Sequence, residues 1–236
     1  MDTLRRLVTT LSPWDWAALA AFFVAWVGYA RFAHRRAMVQ PSLLAASNRI
    51  RRQWMLQATR RDVRVVDGVV VQNLSTSPSF FASTTILIIG GLLATLGAGD
   101  HASALVAELP FAARTTALAL DLKLIVLLGI FVFAFFRFTW SLRQYSFGAL
   151  LVASAPDYRE FETLGEAERE RFADRAGAVV GLAAEAFNDG LRAYYFAIAA
   201  AAWLFSPFAF LAASAGVVWV LYQREFHSEA LRAMRE

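Results

Sequence analysis

The stretch Phe80-Phe81-Ala82-Ser83-Thr84-Thr85-Ile86-Leu87-Ile88-Ile89-Gly90-Gly91-Leu92-Leu93-Ala94-Thr95-Leu96-Gly97-Ala98-Gly99 carries no charged side chain and sits at the end of a charge-free window that begins at Gly68. About 20 mostly apolar residues are enough for a helix to cross the hydrocarbon of a bilayer. Residues 80–99 therefore read as a membrane span. Three more segments repeat the signal on either side: 14–32, 117–136 and 193–223. The first follows Arg5 and Arg6, as a signal peptide would, but it ends in Arg31-Phe32-Ala33-His34-Arg35-Arg36 with no small-residue cleavage site. It reads as a retained helix.

Composition agrees with this reading. Of 236 residues, 58% are hydrophobic and 18% charged, and the mean hydropathy is +0.46. Soluble domains average ~45–50% apolar and about 25% charged. Disordered and collagen-like architectures are excluded. With no cysteine, disulfides, thiolate metal sites and cysteine nucleophiles are excluded as well. The expected fold class is all-α: a polytopic helical membrane protein forming one integral domain over 1–236, with amphipathic cytoplasmic helices. Lys123 is the only lysine among 23 cationic residues, and the pI is near 9.8. Nucleic-acid binding is one reading of that balance. Arginine-rich cytoplasmic connections are the simpler one, so no nucleic-acid partner is expected.

Arginine placement sets the orientation. Arg31, Arg35, Arg36, Arg49, Arg51, Arg52, Arg60, Arg61 and Arg64 lie between the first two spans, opposed by Asp62 and Asp67. The next connection holds Arg114 against Asp100 and Glu108. Residues 33–79 and 137–192 are thus expected in the cytoplasm and the N-terminus outside. The last segment is ambiguous. Its 31 charge-free residues would make a helix of ~46 Å, whereas a turn at Ser206-Pro207 would leave two halves of only ~22 Å. One kinked span is the preferred reading. A hairpin is favoured by Arg224, Arg232 and Arg235 in the tail.

Pro41-Ser42 reads as a helix start, followed by Leu43, Ser47, Ile50 and Trp54 at helical spacing. Arg49, Arg51, Arg52 and Trp54 are candidates for contact with anionic lipid or a partner, or for a cationic vestibule. Thr163-Leu164-Gly165-Glu166 has capping-box form. The stripe Phe172, Ala176, Val179, Val180, Ala183 and Phe187 beyond it needs a partner, and the helix from Leu43 to Leu56 is the nearest. Polar groups gather where three spans end on the inner side. These are Asp67 and Asn73; Ser83 and Thr84; Arg137, Arg143 and Gln144; and Asn188, Asp189 and Arg192. They read either as one hydrogen-bonded network or pore lining, with Asp67 or Asp189 balancing Arg137 or Arg143, or as interfacial anchors. Asp121 and Lys123, near an outer end, read as snorkelling side chains.

Catalytic constellations are missing from the sequence. His34, His101 and His227 are far apart, and there is no His-x-x-x-His pair, Gly-x-Ser-x-Gly, Walker loop or dinucleotide fingerprint. No enzyme activity, metal or cofactor is therefore expected.

The segments Asn48–Met55, Phe80–Gly91, Phe138–Tyr145 and Phe187–Tyr195 resemble those of a bacterial membrane family catalogued as domain of unknown function 599, with related proteins in plants. The resemblance spans about Trp14 to Phe226. It implies a polytopic, mostly helical membrane protein, with no activity or site residues attached; the bacterial inner membrane is the expected location. Two functions compete. The preferred one is a homo-oligomeric channel or transport-like protein with a cationic cytoplasmic mouth. The other is a non-conducting scaffold or accessory protein that binds a partner or anionic lipid.

Overall fold

The computed structural model describes residues 10–37, 40, 42–98 and 116–234. Arg5, Arg6, Pro41, Gly99, Asp100, His101, Glu108, Arg114 and Arg235 lie outside the described residues. The elements are α1 (Pro13–Ala37), α2 (Leu43–Ala58), α3 (Val65–Gly97), α4 (Ala117–Ala153), α5 (Tyr158–Leu164), α6 (Glu166–Ala201), a short 3-10 turn (Ala202–Leu204), α7 (Pro207–His227) and α8 (Glu229–Ala233). No strand occurs among the described residues. Helices α1, α3 and α4 are long and apolar enough to cross a membrane. The protein is an all-α polytopic membrane protein.

Three helices overrun the expected spans. α3, α4 and α6 have 33, 37 and 36 residues, or ~50–55 Å against a hydrocarbon core of ~30 Å. Residues 65–79 and 137–153, expected in cytoplasmic connections, are instead helical. Arg137 and Asp67 end an apolar window but do not break a helix. Even Pro78 lies inside α3. The single domain expected from sequence also resolves into two compact units. One comprises the described parts of Met1–Arg36, Thr85–Ala134 and Leu191–Arg224; the other those of Ala37–Thr84, Phe135–Gly190 and Glu225–Glu236.

In the first unit the last apolar segment is a hairpin, not the single kinked span preferred from sequence. Ser206 caps α7 by accepting from the Ala209 amide at 3.0 Å, and Pro207 occupies the first helical position, where its missing N–H costs nothing. Arg224 Nη1 donates to the Tyr195 hydroxyl at 3.0 Å. A straight helix would hold residues 29 positions apart ~43 Å from one another, so the chain folds back between them. The length objection fails because helix and apolar window are different things: α7 has 21 residues, long enough for ~30 Å. The fully buried Phe22 joins the arms, its ring 5.5 Å from Phe196 and 4.8 Å from Phe210.

In the second unit α2 begins as expected, with Ser42 capping the Ala45 amide at 3.1 Å. It packs on α6 at two glycines. A Cβ at Gly177 would sit 3.0 Å from the Arg52 Cα, and one at Gly181 would sit 3.0 Å from Asn48 Oδ1. Met55, Phe161, Phe172, Ala176, Val180 and Ala183 share one core, so the stripe on α6 does meet α2. The capping box does not form. Thr163 lies inside α5 and its hydroxyl donates to the Arg159 carbonyl, while Gly165, at φ +87°, separates α5 from α6. The C-terminal end also belongs here: Leu44 donates its amide to Glu225 Oε1 at 3.2 Å, and α8 contacts α2.

The Gly177 contact is backbone against backbone and has little room to relax. Gly177→Val is expected to destabilise the detergent-solubilised protein by about 1–3 kcal/mol through overpacking, read as a lowered Tm. Gly216→Ala, where a Cβ meets nothing within 4 Å, is the control and leaves Tm near the parent value.

Candidate functional site

Polar side chains line the facing sides of α2, α4 and α6 in the second unit. On α6 the series Gly177, Gly181, Glu185, Asp189 recurs every fourth residue and forms one slowly turning stripe. α4 contributes Arg137, Ser141, Gln144 and Tyr145. Arg137 is ion-paired to Asp189, and the buried Ser141 hydroxyl donates to the Ala183 carbonyl at 2.7 Å. From α2, Asn48 accepts from Arg51 Nη1 at 2.8 Å and donates to Glu185 Oε1 at 3.4 Å. Burial pushes the Arg51 guanidinium below its usual range, opposed by the nearby Tyr145 and Glu185. Arginine does not give up its proton in proteins; the cost of burial instead ties Arg51 to Asn48 and Glu185. Two atoms of this seam, Arg137 Nε and Gln144 Oε1, are buried without a protein hydrogen-bond partner.

The arginines between α1 and α3 mostly turn to protein. Arg52 pairs with Asp174 and Arg61 with Asp67. Arg60 reaches Glu166 at 2.7 Å. Arg64 donates to the carbonyls of Ala58, Ala155 and Pro156, satisfying acceptors just past the ends of two helices. Arg169 donates to the Thr59 carbonyl at 3.0 Å from the opposite direction. Asp67 is fully buried and takes the Trp54 indole N–H at 2.7 Å on the oxygen that also faces Arg61.

The ten candidate network residues therefore do not form one network. Arg137 and Asp189 pair as expected, whereas Asp67 is balanced by Arg61. Arg143 is exposed, over the Phe147 ring at 5.6 Å. Asn73 and Ser83 face outward, Thr84 is half-buried, and the buried hydroxyl of that run belongs to Thr85, 2.8 Å from the Tyr194 hydroxyl. Asn188 and Arg192 are half-buried. Of the candidate lipid contacts, Arg49 is exposed; Arg51, Arg52 and Trp54 have the protein partners above. Sequence reading missed Asn48, Tyr145 and Glu185, although the four-residue ladder from Gly177 to Asp189 was a legible signal for a close helix contact ending in acids.

The first unit holds a separate cluster. Lys123 is buried, not snorkelling: its ammonium donates to the Trp203 carbonyl at 2.9 Å. The Trp203 indole N–H donates to Asp15 Oδ1 at 2.7 Å. Asp15 Oδ2 accepts from the Ser12 hydroxyl at 2.7 Å. Among the described residues, no group of three histidine or carboxylate side chains could hold a metal ion.

Comparison with protein families gives a match over most of the chain. The model described as "Protein of unknown function, DUF599" matches residues 17–230. The chain belongs to the DUF599 family. The match covers all three candidate spans almost entirely, together with α2, the α6 stripe and the hairpin. No curated protein and no solved structure matches this DUF599 chain.

Two substitutions test how these clusters act in this DUF599 protein. Lys123→Met leaves the Trp203 carbonyl buried without a donor and is expected to cost about 1–3 kcal/mol, seen as a lower Tm in detergent; a snorkelling lysine would be replaced without effect. Asp67→Ala strands the Trp54 indole and Arg61 together. Its expected cost is about 1–3 kcal/mol, chiefly from the unpaired indole N–H, and Trp54 fluorescence should shift as the indole loses its carboxylate.

Proposed function

We propose that this chain is a non-enzymatic scaffold or accessory protein of the bacterial inner membrane, with its N-terminus in the periplasm and its C-terminus in the cytoplasm. The observation that carries the reading is the internal neutralisation of the arginine-rich segment. A cationic pore mouth needs guanidinium charge that is not neutralised by carboxylates of the same protein. Here Arg51, Arg52, Arg60, Arg61 and Arg64 engage carboxylates, an amide side chain or backbone carbonyls. The outward face of α2 includes Arg49 beside the exposed Ile50, together with Gln53 and Gln57, a small basic and apolar surface suited to an acidic, amphipathic protein segment. Orientation rests on the arginines of residues 31–64 and on the C-terminal end lying against α2.

A second reading, a conduit between copies in a homo-oligomer, draws on α3. Ser83 is exposed, and Cβ atoms added at Gly90 or Gly91 would meet nothing within 4 Å. Small and hydroxyl residues are what closely packed helices present to one another in lipid.

The natural absence of cysteine makes a direct test available. Thr9→Cys is expected to react with an impermeant maleimide in intact spheroplasts, and Arg232→Cys only after lysis. Reversed labelling overturns the orientation. The scaffold reading expects reconstituted vesicles to hold anion and cation gradients, and Arg49→Glu with Ile50→Ser to abolish co-purification of a defined partner without lowering Tm. Ion flux that Ser83→Trp blocks would replace it with the conduit.

A further inference from the structure

We propose that a groove between α1 and α7 is a binding site for one anionic phospholipid, an acyl chain lying in the groove and the headgroup phosphate at Arg35 and Arg36. The groove has a volume of about 500 Å³ and is lined chiefly by Ala25, Gly28 and Phe32 from α1 and by Ala215, Val218 and Trp219 from α7. These residues recur at three- and four-residue intervals, so each set marks one helix face. The floor is made by small residues. A Cβ added at Gly28 would meet nothing within 4 Å, which leaves space that no side chain of the described protein fills.

Charge at one end selects the occupant. Continuing the α1 face from Ala25, Gly28 and Phe32 by the same intervals arrives at Arg35 and Arg36, in the last turn of the helix. The Arg36 guanidinium lies over the ring of groove-lining Phe32, 5.3 Å from its centroid. An apolar slot running into two guanidinium groups complements a molecule with a hydrocarbon chain and a terminal anion. α1 is one of the helices able to cross a membrane, so the surrounding solvent is itself made of such molecules. Basic pockets between spanning helices hold anionic headgroups by this combination, and arginine matches the phosphate geometry better than a point charge does. The trailing residues of the face also fit: Trp219 is 63% exposed, a flat apolar wall for a chain to lie against. This site does not depend on the scaffold reading and survives its failure.

Native mass spectrometry of the full-length protein in detergent, titrated with phosphatidylglycerol or phosphatidylcholine of the same chains, tests the site. Phosphatidylglycerol is expected to bind at least tenfold tighter, with one copy retained per chain. Gly28→Leu fills the groove and is expected to remove that copy while leaving Tm unchanged. Arg35→Gln with Arg36→Gln should bring the two lipids to equal affinity without emptying the groove. Ala25→Phe serves the same purpose if Gly28→Leu does not fold. Equal binding of both lipids by the parent protein, or retention of phosphatidylglycerol by the filled variants, overturns the proposal. Loss of a dimer in the filled variants with lipid retention unchanged overturns it too, in favour of a second copy as the occupant.

Discussion

A chain that reverses direction among apolar residues must satisfy the helix ends it creates there, and the contact between Lys123 and the Trp203 carbonyl is how this protein does it. Carbonyls at the end of α6 have no further turn to accept from. Water is scarce around apolar helices, so a protein donor is required. Lys123 supplies the donor, Trp203 passes the contact on to Asp15, and Ser12 closes the cluster. Three apolar segments remote in sequence are thus held by one lysine, one tryptophan and one aspartate. The hairpin, the fold-back of α7 and the return of the C-terminal end to α2 all follow from that reversal.

The same logic governs the arginines. Nine of them fall within residues 31–64, and the electrostatic effect that retains such a segment on one side of a membrane says nothing about where each guanidinium points afterwards. Once folded, the segment meets the acidic start of α6, and opposite charges pair. Exposed pairs such as Arg60 with Glu166 contribute little, ~0–1 kcal/mol each. The contacts of Arg64 and Arg169 to backbone carbonyls matter more because they satisfy buried or part-buried acceptors at helix ends. Phe161, under both guanidinium groups at 5.8 and 5.6 Å, places an aromatic face beneath them. Charge that in sequence resembled a vestibule is used to hold helices together.

This redistribution supports the proposed association role over conduction. Many polar residues of the two units form local clusters with identifiable partners, while others face outward, among them Asn73 and Ser83 on α3, Arg49 on α2 and Arg143 on α4. The open features are different in kind: a basic and apolar face on α2, and an apolar groove ending in arginines between α1 and α7. In the readings proposed above, the first meets protein and the second lipid.

Residue order alone determined that this is a helical membrane protein, because the free energy of placing ~20 apolar residues in hydrocarbon is a local sum that needs no knowledge of neighbours. It also determined a helix start near Ser42 and the α6 stripe, which depend on spacing within one helix. Helix lengths escaped it, since charges at Asp67 and Arg137 interrupt hydropathy without interrupting backbone hydrogen bonding. Only the tertiary structure decided between a kinked span and a hairpin, and which acid each arginine meets. Those outcomes depend on contacts between residues such as Asp15 and Trp203, 188 positions apart, and periodicity along a chain carries no information about such pairs.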